Sequence, residues 1–270
     1  MKHQTILKIV QQEPAKEPVA AVDISDFHAW FLDTHILNNI SISFMQRQIN
    51  CIMGPSGSGK STLIRSINRI NDEVEGFAHE GAIRFNGKSV YEKSANVIDL
   101  RKEIGMVFQK PCVFPKSISQ NVLFGVQHMR KLSKSERLGI VEENLKAVSL
   151  WKEVSNRLND KAASLSIGQQ QRLCLARTLA VKPKVILLDE PTSSLDPASA
   201  RAIEDLMLEL KKDYTIIFVT HNIQQAKRIA DYIVFMCDGQ IIEQGSKEKL
   251  FTNPDKEQTR TYLNEEYCEC

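Results

Sequence analysis

The chain has 270 residues, and its 35 lysines and arginines nearly balance its 33 aspartates and glutamates, which gives a formal net charge of +2. This balance excludes an intrinsically acidic disordered chain and gives no support to nucleic-acid binding driven by bulk positive charge. No apolar run approaches the roughly 18 residues that a membrane span needs, and no signal peptide is evident, so we expect a cytosolic chain that acts at a membrane only from outside the lipid.

The N-terminal part alternates strand-like and helix-like patterns after a polar start. Residues 1–19 are polar and predict a loose leader. Apolar residues alternate with polar ones at 40–44, which is the period of a half-buried strand, and a short apolar strand at 49–53 leads into a glycine-rich loop. Residues 61–70 then have helical spacing. Further on, residues 82–87 predict a strand that ends in a tight Asn-Gly turn.

The middle of the chain, residues 112–180, is almost wholly helical in pattern. Ser133 and Glu136 have the spacing of a capping box, in which each residue satisfies a backbone N–H of the other at a helix start. Apolar residues at spacings of three and four follow and predict one buried helix face: Leu138, Val141, Leu145 and Val148.

Strands return in the C-terminal part, at residues 185–188, 215–219 and 232–236. Between the first two, Asp196 followed by Pro197 predicts a helix N-cap and first helical position. Short apolar strands separated by helices predict a mainly parallel sheet covered on both faces. The chain is therefore predicted as one α/β unit over residues 20–265, with a helical insertion at 112–180 and a tail at 266–270.

The loop at residues 54–61 fits the pattern G-x-x-x-x-G-K-[ST]. Glycines in such a loop let backbone N–H groups surround phosphate oxygens, and the following helix N-terminus adds about half a positive charge. Lys60 can reach the β- and γ-phosphates, and the Ser61 hydroxyl can ligate Mg²⁺. The pattern therefore predicts a nucleotide site built from Gly54, Pro55, Ser56, Gly57, Ser58, Gly59, Lys60, Ser61 and Thr62.

The acidic pair Asp189 and Glu190 follows the apolar run at residues 185–188. A carboxylate at the end of a buried strand suits a nucleotide-bound Mg²⁺, and a second carboxylate beside it can polarise an attacking water. Such a pair alone is more often a solvated turn. After a phosphate-binding loop, it indicates a metal partner and a catalytic base.

The segment Leu165-Ser-Ile-Gly-Gln169 precedes a helical pattern and resembles the signature motif of the ABC ATPases, usually Leu-Ser-Gly-Gly-Gln. The order along the chain is also that of the family: the phosphate loop, Gln109, the signature segment, Asp189, the Ser194-Leu-Asp196 segment and His221. The resemblance covers about residues 20–260. It implies an α/β fold of the P-loop ATPase type, with an inserted helical subdomain and an antiparallel β part.

The resemblance also implies how two copies of the chain assemble. They would pair head to tail, with ATP between the phosphate loop of one copy and the signature segment of the other. Ser166, Gly168 and Gln169 would then face a nucleotide held by the partner, and Asp196 would border the same nucleotide site. A helix N-terminus would again act as the anion site.

The catalytic roles that the resemblance implies fall on three residues. Glu190 would act as general base, His221 would contact the γ-phosphate and position the water, and Gln109 would touch Mg²⁺ and water. The metal would therefore be held by Ser61, Gln109 and Asp189. An aromatic residue 29 positions before Lys60 usually stacks on adenine in this family, which indicates Phe31, with Trp30 as the neighbouring candidate.

One residue departs from the family pattern. Ile167 stands at the third signature position, where glycine is common, and a β-branched residue rarely adopts a positive φ. We therefore expect the backbone to have a negative φ at this position, so that Ser166, Gly168 and Gln169 still serve as a phosphate site.

Several longer stretches are similar to the ATP-binding subunits of bacterial phosphate importers. They are residues 103–111, 114–118, 169–177, 180–184, 213–216, 220–226 and 251–254. This similarity implies an ATPase at the cytoplasmic face of the cell membrane, attached to two permease subunits and served indirectly by an extracytoplasmic phosphate-binding protein. An importer of another small polar solute stays open as an alternative. A soluble ABC ATPase of DNA repair or translation usually has a long coiled-coil insertion or a second cassette, which this length does not fit.

Overall fold

The computed structural model of the chain describes residues 19–264. The predicted leader before residue 19 and the predicted tail at 266–270 lie outside the described residues. Among the helices of the described part, none is long and apolar enough to cross a lipid bilayer.

The strands of residues 19–264 form two sheets. They are β1 (Ala20–Phe31), β2 (Thr34–Met45), β3 (Ile49–Met53), β4 (Phe77–Phe85), β5 (Lys88–Ser89), β6 (Ile104–Val107), β7 (Val185–Asp189), β8 (Thr215–Thr220), β9 (Tyr232–Cys237) and β10 (Gln240–Ser246). The smaller sheet is antiparallel and has the order β2-β1-β4-β5. The larger sheet has the order β10-β9-β3-β8-β7-β6 and is parallel from β9 to β6.

The larger sheet confirms the predicted mainly parallel sheet. Every residue of β3, β7 and β8 is buried, as expected for parallel strands covered on both faces. β10 pairs with β9 in the antiparallel sense at one edge.

Helices cover both faces of the parallel sheet. They are α1 (Lys60–Ile67), α2 (Val97–Glu103), α3 (Ile118–Gln127), α4 (Lys134–Ala147), α5 (Trp151–Val154), α6 (Ile167–Ala180), α7 (Pro197–Leu210), α8 (Ile223–Ile229), α9 (Lys247–Thr252) and α10 (Glu257–Leu263). Successive strand residues belong to different cores. Cys51 and Phe218 face the core that includes α3 to α8, whereas Ile52 and Val219 face the core shared by α1 and the antiparallel sheet.

Four helices, α3 to α6, lie between β6 and β7 in the chain. The capping box at Ser133 is present, and Val141, Leu145 and Val148 are buried. The prediction is wrong for Leu138, whose side chain is exposed. Leu138 instead lines an open groove between α3 and α4, together with Leu123 and Val141.

The structure can be compared with the prediction at two helix ends, the start of α7 and the end of α1. Asp196 caps α7 by accepting hydrogen bonds from the N–H groups of Ala198 and Ser199, with Pro197 in the first turn, as predicted. Helix α1 ends at Ile67 rather than at residue 70. Arg69 has a φ of 62° and so leaves the right-handed helical region, and a short 3₁₀ turn follows at residues 70–73.

Candidate functional site

The glycine-rich loop connects β3 to α1 at the C-terminal edge of the parallel sheet. Gly54 has a φ of 150°, and a Cβ there would lie 2.0 Å from the backbone oxygen of Met236, so only glycine fits. Gly57 and Gly59 have φ values of 86° and 88°, in the left-handed region that glycine adopts readily, and the loop leads directly into the N-terminus of α1. The local sequence thus builds a glycine-rich loop at a helix N-terminus, a geometry that suits anion binding.

Lys60 closes this loop from inside. Its Nζ donates to the backbone oxygens of Gly54 at 2.9 Å and Pro55 at 2.6 Å, and to the Ser58 hydroxyl at 3.3 Å. Burial lowers the pKa of the Lys60 ammonium, while the nearby carboxylates of Glu190 and Asp189 act in the opposite direction. The ammonium is therefore held by weak neutral acceptors that a phosphate can replace.

Asp189 ends β7 and is almost completely buried, with 1% of its surface exposed. Its Oδ1 accepts from the Ser61 hydroxyl at 2.8 Å. Its Oδ2 accepts from Nε and Nη2 of Arg65 at 3.0 and 2.8 Å, a two-point charged contact. Sequence reasoning missed Arg65, although its position one helical turn after Ser61 places both side chains on the same face of α1.

The residues around Asp189 fit a magnesium site. Ser61 and Asp189 offer the hard oxygen ligands that Mg²⁺ prefers, and the structure brings these two predicted ligands together. Gln109, the third predicted ligand, instead donates to Glu190 and Ser193. Within residues 19–264 there is no cluster of three or more histidine, cysteine or acidic side chains placed to hold a metal. A metal here would therefore depend on oxygens supplied by a bound nucleotide.

We expect Arg65→Met to lower the free energy of unfolding by about 2–3 kcal/mol, because it leaves the buried Asp189 carboxylate without its cation. The value lies at the low end for buried pairs because 39% of the Arg65 side chain is exposed. Urea denaturation measures the change. The matched control is Arg84→Met, whose pair with Asp23 is exposed on both sides and should contribute about 0–1 kcal/mol. Equal losses for the two variants would contradict the role of Arg65.

Glu190 lies at the centre of a group formed where three neighbouring strands end. Its Oε2 accepts from Nε2 of Gln109 at 3.0 Å, and its Oε1 lies 3.3 Å from Nδ1 of His221. Glu190 follows β7, Gln109 lies just after β6, and His221 follows β8. The carboxyl ends of these three strands meet at one edge of the sheet. Glu190 also has a φ of 45°, a strained conformation for a non-glycine residue that often marks a functional site.

Ser193 links the turn after β7 to the same group. Its hydroxyl donates to the backbone oxygen of Glu190 at 3.1 Å, and Nε2 of Gln109 lies 3.2 Å from that hydroxyl. The sequence carried only a weak signal for Ser193, a small polar residue three positions after Glu190. A cavity of about 390 Å³ opens beside this group and is bordered by Glu190 and His221.

The signature segment forms the N-terminus of α6. Ser166 caps the helix: its hydroxyl accepts from the N–H of Gln169 at 3.3 Å, and Oε1 of Gln169 accepts from the N–H of Ser166 at 3.0 Å. Nε2 of Gln169 donates to Glu153 at 2.8 Å. Ser166 and Ile167, at the start of this helix, are exposed.

Ile167 is the first residue of α6 and has helical geometry, so the expected negative φ is found. Its side chain is 53% exposed. The next residue, Gly168, needs its small size for packing, since a Cβ there would lie 2.8 Å from the hydroxyl of Ser199 in α7. The two signature residues therefore differ. Packing against α7 limits the size of the side chain at residue 168, whereas residue 167 has no positive φ and so accepts a β-branched side chain.

The two aromatic candidates at the end of β1 lie on opposite faces of the antiparallel sheet. Phe31 alternates with the buried residues Phe27 and Ala29, on the face that packs toward α1, and its ring is 5.4 Å from that of Phe77. Trp30 is on the other face, where it stacks on His35 at 4.6 Å. Phe31 thus lies on the sheet face that packs toward α1, the helix that follows the glycine-rich loop, whereas Trp30 does not.

Comparison with known proteins finds relatives that match over most of the chain. The family model described as ABC transporter matches residues 37–193. The phosphate import ATP-binding protein PstB of Thermotoga maritima is 49% identical over 247 residues, which cover 92% of this chain and 98% of that protein. PstB 1 of Lactococcus lactis, also named as a phosphate import ATP-binding protein, is 48% identical over 248 residues, or 92% of this chain and 98% of that one.

A solved structure is similar over the same region. The cbiO1 protein of Clostridium perfringens, described as part of the ABC transporter complex cbiONQ, superposes with a TM-score of 0.76 at 30% identity. The match covers 90% of this chain and 95% of that one. Coverage of 90% of this chain requires that the match extends over both sheets and the helical insertion.

Proposed function

Because this chain belongs to the ABC transporter family, we propose that it is the ATP-hydrolysing subunit of a complex that imports inorganic phosphate. The observation that carries the proposal is the 46–49% identity to phosphate import ATP-binding proteins over at least 92% of the chain. The geometry at Lys60, Asp189 and Glu190 supports the ATPase part of it.

The glycine-rich loop would bind the triphosphate. Backbone N–H groups between Gly54 and Lys60 would donate to the phosphate oxygens, and the Lys60 ammonium would exchange its bonds to loop carbonyls for bonds to the β- and γ-phosphates. Ser61 and Asp189 would hold Mg²⁺, which when bound supplies positive charge between the phosphates. Phe31 would stack on the adenine ring from the same face of the sheet.

Hydrolysis would use the group around Glu190. The Glu190 carboxylate accepts a proton from a water molecule, the water oxygen bonds to the γ-phosphorus, and the bond from that phosphorus to the bridging oxygen of ADP breaks. Gln109 and His221 each contact one carboxylate oxygen of Glu190, so they would fix its direction and the position of the water. The adjoining cavity gives water a path to this carboxylate.

A second copy of the chain would complete the site. Ser166 and the start of α6 are exposed, and the capping bonds of Ser166 are made with Gln169 of the same helix. This helix end is therefore open to a nucleotide held by another copy. The α6 N-terminus would add N–H groups and partial positive charge toward the γ-phosphate. Asp196, which caps α7, has its pKa lowered by hydrogen bonds from Ser199 and keeps its helix start ordered beside Gly168.

We expect Ile167→Gly to change the rate of ATP hydrolysis less than about threefold, because Ile167 already has helical geometry and capture by α6 does not need a positive φ there. Steady-state ATPase assays measure the rate, and Leu208→Gly, in the exposed interior of α7, controls for the general cost of glycine in a helix. A large gain in rate for Ile167→Gly would show that the isoleucine impairs phosphate capture.

The chain would work at the cytoplasmic face of the membrane, where two permease subunits follow the closing and reopening of the nucleotide-bound dimer. An extracytoplasmic protein would deliver phosphate, so no residue of this chain would contact the cargo.

Uptake of radiolabelled phosphate by cells that lack the chain tests this proposal. Wild type should restore uptake and Glu190→Gln should not; restored uptake of a labelled amino acid instead of phosphate would replace phosphate with another small polar cargo.

A further inference from the structure

Gln171 is a buried polar residue that the proposed reaction does not use. It lies in the first half of α6, two positions after the signature segment, and only 1% of its surface is exposed. Its side chain does not bond within α6. Instead, Nε2 donates to the backbone oxygen of Phe108 at 3.1 Å, a contact between residues 63 positions apart.

The acceptor of this bond, the backbone oxygen of Phe108, lies next to a residue of the candidate site. Phe108 follows the last residue of β6 and immediately precedes Gln109, whose side chain donates to the Glu190 carboxylate and to Ser193. A continuous set of contacts therefore runs from α6 through Gln171, the Phe108 carbonyl and the Gln109 amide to the carboxylate of Glu190. The first of these contacts fixes the backbone on which Gln109 is carried.

Gln171 also retains an unused polar atom. Its buried Oε1 accepts no hydrogen bond from the side chains and backbone of residues 19–264. A leucine or methionine would avoid burying such an atom, so simple filling of the core does not account for a glutamine here. The donor end of the amide is the part that has a partner, and that partner is the Phe108 carbonyl.

We propose that Gln171 is a positioning residue that couples the place of the signature helix to the orientation of Gln109 and hence of Glu190. When α6 meets a nucleotide held by a second copy, the Gln171 amide holds the Phe108 backbone to the helix, and Gln109 keeps its contact with the catalytic carboxylate. The inference rests on the proposed function, because it assigns Gln171 a role in ATP hydrolysis by this same site.

The test compares Gln171→Leu, and Gln171→Met as a second variant, with wild type. We expect kcat for ATP hydrolysis to fall about 10–30-fold while KM and the Kd for a fluorescent ATP analogue change less than about threefold, since the glycine-rich loop is untouched. The matched control is Asn144→Leu, which removes another buried amide of the helical region, one that donates only to Ile140 in its own helix. That control should keep the wild-type kcat.

A double-mutant cycle separates positioning from a general packing effect. In a Gln109→Ala background, Gln171→Leu should cause no further loss of kcat, because the contact that it positions is already gone. Wild-type kcat in both Gln171 variants, or losses that multiply with that of Gln109→Ala, would overturn the inference while leaving the ATPase proposal intact. Absence of ATPase activity in the wild-type chain would instead contradict the proposed function.

Discussion

Replacing Glu190 with glutamine is expected to lower the rate of ATP hydrolysis by about 10²–10⁴-fold, the usual contribution of a general base. The glutamine amide keeps the size of the side chain but cannot accept the proton of the attacking water. ATP affinity should stay within about threefold of wild type, because the proposed phosphate contacts come from the glycine-rich loop and from Lys60, which lies inside it. Steady-state ATPase assays and titration of a fluorescent ATP analogue measure the two quantities.

The control for this variant is Glu80→Gln, an exposed carboxylate on the antiparallel sheet. It removes the same charge without touching the group formed by Gln109, Glu190 and His221. Full turnover by Glu190→Gln would remove Glu190 from the catalytic role. A loss of binding and turnover together would show that Glu190 holds the site rather than acting as a base.

Replacing Lys60 with alanine is expected to weaken ATP binding itself by about 10–100-fold, the loss of one charge-assisted contact of roughly 1.5–3 kcal/mol. Lys60 is the residue whose ammonium lies inside the loop, bonded to the carbonyls of Gly54 and Pro55. Titration of the fluorescent ATP analogue in the absence and presence of Mg²⁺ measures the change.

Lys88→Ala is the control, because Lys88 is an exposed lysine of β5 in the antiparallel sheet. It should bind ATP like wild type. Normal ATP affinity in Lys60→Ala would contradict the assignment of the loop at residues 54–61 as the phosphate site, whatever its effect on turnover.

The parts of the fold that could be predicted from the sequence are those fixed by neighbouring residues. The loop at 54–59 depends on glycines at set spacings, the cap at Asp196 needs only the following Pro197, and the all-buried strands β7 and β8 are continuous apolar runs. Each signal lies within about ten residues of the structure that it produces.

The contacts that sequence reasoning missed depend on tertiary packing. Arg65 and Asp189 are 124 positions apart, and Gln171 and Phe108 are 63 apart, so neither pair has a local spacing that could reveal it. The prediction for Leu138 is wrong for a related reason: its spacing is helical, but its burial depends on which elements pack against α4, and it lines an open groove instead. The site residues were predicted from motifs, while the side chains that contact them could be identified only in the structure.

The mass in solution of the Glu190→Gln variant with ATP and Mg²⁺ tests most directly whether two copies share the nucleotide. Light scattering behind size-exclusion chromatography should give twice the 30.6 kDa of one chain with ATP, and a single chain with ADP. In the proposed dimer, only the γ-phosphate would bridge the glycine-rich loop of one copy to the α6 N-terminus of the other. A single-chain mass in ATP, both for the purified variant and beside its permease subunits, would contradict the shared site.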